Sequence, residues 1–176
     1  MSALDVLDGI PGIEARTIDP LQRILLITDG TLTEMLEANF LERIELVKLS
    51  QRMVEARTSQ ARLVASPRES LLERRILLRG SPSGKTYVYA ESIIAVERLS
   101  AAFRDELLHS DVSLGRLWQK HRLETYKQLA TVSCSPAGAL AIHFGCAENS
   151  PLLSRSYHVF CDGRPTMLIS EYFPAQ

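Results

Sequence analysis

The feature that most constrains the fold is a hairpin signal near the end of the chain, where Asp162-Gly163 separates two stretches of alternating apolar residues. An Asp-Gly pair at this spacing is the strongest short-range signal for a tight turn between antiparallel strands. In the second stretch, Met167 and Phe173 share one face of the predicted strand, and Glu171 falls on that face. Because burying an unpaired charge is costly, Glu171 is expected either to have a partner or to turn toward solvent at a bulge.

An arginine interrupts an upstream strand in the same way. Arg74 is in phase with Leu72 and Ile76 in the predicted strand 70–79, so it should point toward the interior. An inward arginine and an inward glutamate predict a polar pocket inside a sheet protein. The alternative is a buried salt bridge between Arg74 and Glu171 themselves.

Helices are predicted before residue 40 and again between residues 100 and 120. Asp19-Pro20 has the N-cap and first-turn residues of one helix. Thr31 and Glu34 have the capping-box spacing of another, which should extend to about residue 39. Later helices are expected at 100–109, with Ser100 as the N-cap, and from Ser113 onward.

Period-two patterns account for most of the remaining chain. Residues 57–68 lack this pattern and are expected to form a loop or a ragged edge. Early helices followed by mostly antiparallel strands, with a helical insertion, predict an α+β fold. The predicted strands begin near residue 42 and continue at 70–79, 86–94, 122–133 and 137–144, and in the two arms of the last hairpin, 155–161 and 166–173.

Length and composition favour one domain, residues 1–176, that is cytoplasmic. The net charge of −1 gives no electrostatic reason to expect nucleic-acid binding. No apolar run approaches the ~20 residues of a membrane span, and the N-terminus is acidic where a secretion signal is basic. The three cysteines form no CxxC motif and are expected to be small core residues, and the histidines lack metal-ligand spacing.

Phosphate loops, dinucleotide-binding glycine motifs and nucleophile elbows are absent from the sequence, which leaves Arg74 and Glu171 as the main candidates. The planar fork of Arg74 suits a ligand carboxylate, and Glu171 suits a ligand hydroxyl or a proton transfer. Arg155 is more typical of a surface cation, and Glu91 of a solvated face. The Leu114-Gly115 step opens a helix, where free N–H groups can bind an anion, although an ordinary loop-to-helix junction has the same pattern.

Five segments, taken in order, resemble the chorismate lyase (chorismate pyruvate-lyase) family, and the sequence looks most similar to a divergent branch of it. The resemblance extends from about residue 25 to residue 174. It implies an antiparallel sheet whose helical flaps, near residues 29–40 and 113–120, cover an enclosed ligand pocket. It also implies conversion of chorismate to 4-hydroxybenzoate and pyruvate without a cofactor or a metal. The segments are residues 29–33, 73–78, 90–94, 113–116 and 163–174.

Carried over residue by residue, the resemblance implies that Arg74 binds a ligand carboxylate and that Glu171 lies near a ligand hydroxyl. It further implies a main-chain ligand contact at Leu114-Gly115, and a wall position, methionine in the family, at Thr31 or Leu32. These six residues are therefore expected to contact the substrate, and Glu91 and Arg155 are further candidates for direct substrate contact.

The sequence departs from the family pattern at Glu91, where better-known members have an arginine. This leaves the second carboxylate of chorismate without an obvious cation, for which Arg155, Arg75 and Arg122 are candidates.

Two alternative functions stay open. One is a non-catalytic sensor domain that binds a small anion, because the same sheet resembles effector domains of bacterial transcription regulators. The other is a lyase or isomerase for a related cyclic carboxylate. The sequence gives no indication of oligomeric state.

Overall fold

The computed structural model describes residues 2–56, 63 and 69–175, and it contains one six-stranded antiparallel sheet. The strands are β1 (Ile44–Glu55), β2 (Ser70–Gly80), β3 (Thr86–Ala95), β4 (Thr125–Pro136), β5 (Pro151–Cys161) and β6 (Arg164–Pro174). Their order in the sheet is β1-β2-β3-β6-β5-β4. The helices are α1 (Ala3–Asp8), α2 (Pro20–Ile27), α3 (Leu32–Phe40), α4 (Ala101–His109), α5 (Leu114–Lys120) and α6 (Ala141–Phe144). The predicted α+β class is confirmed.

The hairpin predicted at the end of the chain joins β5 to β6. Asp162 and Gly163 have φ angles of 50° and 72°, the left-handed conformation that a tight hairpin turn of this type requires at both central residues. The resulting register pairs Arg155 on β5 with Glu171 on β6. The turn thus brings two opposite charges side by side on neighbouring strands.

Two of the three predicted side-chain helix caps are present. Asp19 accepts a hydrogen bond from Leu21 N–H at 2.9 Å, and Ser100 caps α4 in the same manner. The predicted capping box at Thr31 is wrong, because Thr31 occupies the N-cap of α3 without making a side-chain cap bond. Its partner in that box, Glu34, instead accepts a hydrogen bond from the side-chain amide of Gln119 at 2.9 Å.

The strand predicted at 137–144 is also wrong. Gly138–Leu140 forms a 3₁₀ turn that leads into α6. Alanine favours helix over strand, and Ala137 and Ala141, four residues apart, are buried together against Leu152. The loop predicted at 57–68 lies outside the described residues, apart from Leu63.

Two apolar clusters cover one face of the sheet. The first packs α1, α2 and α3 on strand residues Leu78, Val88, Ala90, Leu153 and Phe173. The second packs α4 and α5 on strand residues Leu72, Ile94, Tyr157, Val159, Met167 and Ile169. Along each central strand, one buried polar residue separates the two clusters in the period-two pattern of that face. These residues are Arg74, Ser92, Glu171 and Arg155.

The structure therefore has a polar band across the middle of an otherwise apolar interior face. In the described ranges, no helix has the length and hydrophobicity that a membrane crossing requires.

Candidate functional site

A cavity lies above the polar band, under the first turns of α3 and α5. Arg74, Ser92 and Glu171 contribute polar groups of the band to its lining. Apolar side chains form most of the rest: Leu32, Leu46, Ile76, Leu78, Leu114, Trp118 and Ile169. The unfilled space, including its opening to solvent, is about 600 Å³. A mostly apolar lining with a few convergent polar groups is typical of a small-molecule site.

Arg74 enters the cavity from β2 and is only partly satisfied. Its side chain is 2% exposed. One terminal nitrogen donates to the carbonyl oxygen of Val112 at 3.3 Å, whereas Nε is buried and has no partner within the described ranges. Burial lowers the pKa of Arg74, and the nearby Asp111 opposes this shift. A guanidinium stays charged in proteins, so the cavity contains a buried positive charge with unused donors.

Glu171 enters the same cavity from β6 and is held by two donors. Arg155 Nε donates to Oε2 at 2.6 Å, and the Tyr157 hydroxyl donates to Oε1 at 3.0 Å. A second nitrogen of Arg155 donates to the carbonyl oxygen of Thr28 at 2.6 Å. Burial, followed by the charge of Glu171, raises the pKa of Tyr157 well above its usual range. The phenol therefore stays protonated and serves as a donor that orients the carboxylate.

The predicted inward orientation of both charged residues is confirmed, since Arg74 and Glu171 are buried and line one cavity. Among the hydrogen bonds and ion pairs of the described residues, none joins them, so the alternative of a direct Arg74–Glu171 salt bridge is wrong. The counter-charge of Glu171 is Arg155. The two residues are thus separated by space that a ligand can occupy.

Both predicted flap segments line the cavity. Thr31 and Leu32 belong to the start of α3, and Leu114 and Gly115 to the start of α5. A Cβ placed on Gly115 would lie 2.6 Å from Thr31 Cγ2, which is closer than real Cβ contacts. The two flaps can approach this closely only because position 115 has no side chain.

Lys127 on β4 also lines the cavity, although it is not among the residues predicted from the sequence. Its ammonium donates to the carbonyl oxygens of Asp29 and Gly30 in the α3 flap. Burial lowers the pKa of Lys127, whereas the charge of Glu171 raises it. Lys127 pairs with the buried Val159 of β5, but residues 126–130 show no regular apolar alternation from which this orientation could be predicted.

The remaining sequence candidates lie outside the cavity lining. Glu91 points to the opposite face of the sheet, because it alternates along β3 with residues that line the cavity. On that face, its carboxylate lies 3.3 Å from Arg75 Nε and accepts a hydrogen bond from the Tyr89 hydroxyl at 2.6 Å. Arg155 is not a surface cation, because it is 2% exposed behind Glu171. Arg122 is exposed. These positions correct the expectation that Glu91 and Arg155 contact the ligand directly, and they remove Arg75 and Arg122 as the missing cation.

The arrangement can bind a small anion that also carries a hydroxyl group. Arg74 offers charged donors, and each oxygen of Glu171 retains acceptor capacity beyond its one bond to protein. Within the part of the chain that is described, no group of three or more His, Cys, Asp or Glu residues is placed to hold a metal ion.

Comparisons with a protein-family profile and with characterised proteins both match chorismate pyruvate-lyases. The profile of the family described as "Chorismate pyruvate-lyase Rv2949c-like" matches residues 26–176. The chorismate pyruvate-lyase of Mycobacterium leprae (strain TN) is 30% identical over 161 residues, which cover 91% of this chain and 77% of that protein. Solved structures at lower identity share the fold alone.

Among these structures, the effector domain of PhnF from Mycobacterium smegmatis superimposes with a TM-score of 0.66 at 13% identity, covering 84% of this chain and 90% of that one. A transcriptional regulator of the GntR family from Enterococcus faecalis V583 superimposes with a TM-score of 0.59 at 15% identity, covering 73% of this chain and 92% of that one.

Proposed function

This chain belongs to the Rv2949c-like chorismate pyruvate-lyase family, and from that premise we propose that it converts chorismate to 4-hydroxybenzoate and pyruvate. One observation carries the proposal beyond family membership. Arg74 and Glu171 line a single, largely apolar cavity from strands β2 and β6 without contacting each other. A guest with a carboxylate at one end and a hydroxyl at the other suits this spacing.

Arg74 binds the ring carboxylate of the substrate in this proposal. Its buried charge lacks a counter-ion in direct contact, and its Nε lacks any acceptor among the residues described. A planar carboxylate accepts two parallel N–H bonds from a guanidinium. Binding of the ring carboxylate therefore neutralises the charge and satisfies the free donors together.

Glu171 accepts the hydrogen bond of the C4 hydroxyl, which lies opposite the ring carboxylate. Arg155 and Tyr157 fix the orientation of Glu171 before the substrate arrives. The Glu171 carboxylate therefore needs no reorganisation during the reaction. Its hydrogen bond to the C4 hydroxyl holds the ring so that the C4–H and C3–O bonds stay in a fixed position. Arg155 and Tyr157 act through Glu171 and are positioning residues.

The reaction is an elimination that makes the ring aromatic. The C3–O bond to the enolpyruvyl group breaks, the hydrogen on C4 leaves, and a C3–C4 double bond completes the ring. The enolpyruvyl methylene gains a proton and becomes the methyl group of pyruvate, so atoms and charge balance without a redox partner. The protein supplies a dry, oriented site, to which Leu46, Ile76 and Ile169 contribute apolar walls.

Replacing Arg74 with alanine tests this function. We expect kcat/KM for chorismate to fall by about 10²–10⁴-fold, because two charge-assisted hydrogen bonds are lost. Pyruvate release is measured with lactate dehydrogenase, and 4-hydroxybenzoate by chromatography. The matched control is Arg75→Ala, which removes the same charge from the adjacent residue on the opposite face of β2 and should leave turnover unchanged. Full activity in folded Arg74→Ala protein contradicts the proposed role.

A second candidate function is binding without catalysis. The fold shared with the PhnF effector domain and with a GntR-family regulator supports this alternative. Incubation of wild-type protein with chorismate separates the two, because a sensor binds chorismate without releasing pyruvate. Mass spectrometry of the aromatic product also distinguishes a lyase or isomerase that acts on a related cyclic carboxylate.

A further inference from the structure

A second cation, Lys127, reaches the cavity from the edge strand β4. Its ammonium donates to the carbonyl oxygens of Asp29 and Gly30, the latter at 3.1 Å. Both acceptors are neutral backbone groups, and an ammonium has three N–H donors. One donor and the full positive charge therefore remain for another partner. None of the ion pairs among the described residues includes Lys127.

The surroundings of this ammonium favour a buried anion. Its Nζ lies 5.2 Å from the centre of the Trp118 ring and 5.5 Å from that of Tyr157. The ring faces attract the ammonium and keep water away from it, and reduced contact with water strengthens the Coulomb attraction between the ammonium and a ligand anion. Desolvation lowers the pKa of Lys127, so a ligand anion would stabilise its charged form.

The order of charges across the sheet matches the layout of a dicarboxylate. Arg74 is on β2, Glu171 on β6 and Lys127 on β4, so the carboxylate lies between the two cations in strand order. Chorismate has a ring carboxylate, a C4 hydroxyl opposite it, and an enolpyruvyl ether on the neighbouring C3. With its ring carboxylate at Arg74 and its hydroxyl at Glu171, the ring can turn about its C1–C4 axis, and the orientation in which C3 faces β4 brings the second carboxylate toward Lys127.

We propose that Lys127 binds the enolpyruvyl carboxylate of the substrate and makes the site selective for a dicarboxylate. The assignment rests on the function proposed above. Lys127 also holds Asp29 and Gly30, so the second carboxylate and the α3 flap meet at one ammonium. Once the C3–O bond breaks, pyruvate carries that carboxylate away, and Arg74 and Glu171 alone retain 4-hydroxybenzoate.

The test compares a dicarboxylate with a monocarboxylate in the Lys127→Met variant, which preserves most of the side-chain volume. We expect KM for chorismate to rise by about 10–100-fold, because one charge-assisted contact is lost. The Kd for 4-hydroxybenzoate, measured by calorimetry, should stay at the wild-type value. Lys127→Arg, which retains the charge, should recover much of the chorismate affinity. The control Lys85→Met removes an exposed lysine outside the cavity and should change neither constant.

Each contrary result has a distinct meaning. Wild-type affinity for chorismate in Lys127→Met overturns the assignment. An equal loss of affinity for chorismate and 4-hydroxybenzoate also overturns it, because that pattern reports a collapsed flap. If wild-type protein releases no pyruvate from chorismate, the proposed function fails, and calorimetric titration with chorismate still tests Lys127 independently of turnover.

Discussion

Replacing Arg155 with methionine should destabilise the protein strongly, because Glu171 would stay buried without its counter-charge. Arg155 is 2% exposed and Glu171 is 8% exposed. Removing one partner of a buried ion pair costs about 3–5 kcal/mol. For a domain of this size, that loss corresponds to a decrease in Tm of roughly 6–20 °C.

A double-mutant cycle isolates the pair from the surrounding packing. The single variants are Arg155→Met and Glu171→Gln, and each leaves one buried charge unpaired. The double variant removes both charges, so its loss of unfolding free energy should be smaller than the sum of the single losses by about 2–3 kcal/mol. Chemical denaturation followed by circular dichroism gives all four values.

The control cycle uses Arg52→Met and Glu73→Gln, an ion pair across β1 and β2 whose side chains are 69% and 27% exposed. Its coupling should lie in the range of about 0.2–1 kcal/mol that is typical of exposed pairs. Additivity within about 0.5 kcal/mol in the buried cycle would refute the reasoning, since it would mean that Glu171 does not depend on Arg155 for its charge.

Two further predictions concern the flaps and pH. Gly115→Ala should slow turnover, because the new Cβ would displace Thr31. Adding Thr31→Ser removes the methyl group that lies 2.6 Å from this Cβ, so the double variant should recover much of the rate. An equally slow double variant in steady-state kinetics would contradict this contact. Burial lowers the pKa of Lys127 below that of an ordinary lysine, with Arg155 lowering it further and Glu171 and Asp29 opposing. Deprotonation therefore begins at lower pH than for an exposed lysine, and KM for chorismate should rise with pH in the alkaline range. Lys127→Arg should lack this rise, and an identical pH profile in the two proteins would contradict the assignment.

The sequence was sufficient to find Arg74 and Glu171 as inward charges because each interrupts a regular period-two strand. Their orientation follows from alternation alone, without knowledge of tertiary contacts. The partner of Glu171 was harder to predict. Arg155 begins an apolar stretch and looks like a strand-end cation, yet β5 starts four positions earlier, at Pro151, and carries Arg155 into the interior. Predicted strand boundaries are less certain than strand existence.

The inward orientation of Lys127 was not predicted, for a different physical reason. β4 is an edge strand with many exposed residues, and its register shifts between Leu129 and Thr131. Such a shift breaks the alternation on which a face assignment depends. In addition, a lysine stem can cross apolar surface to reach a distant acceptor. Here the acceptors are carbonyls of the α3 flap, and no local pattern specifies that contact.

The division of the interior face into two apolar clusters explains how one sheet can tolerate a buried polar band. Each cluster packs its own helices, so the band between them lies where neither set of helices fills the space. A charge placed in this gap is stabilised by a neighbouring strand, as Glu171 is by Arg155, or by a ligand, as we propose for Arg74. The gap, and with it the fold, can therefore persist while the charges in the band change.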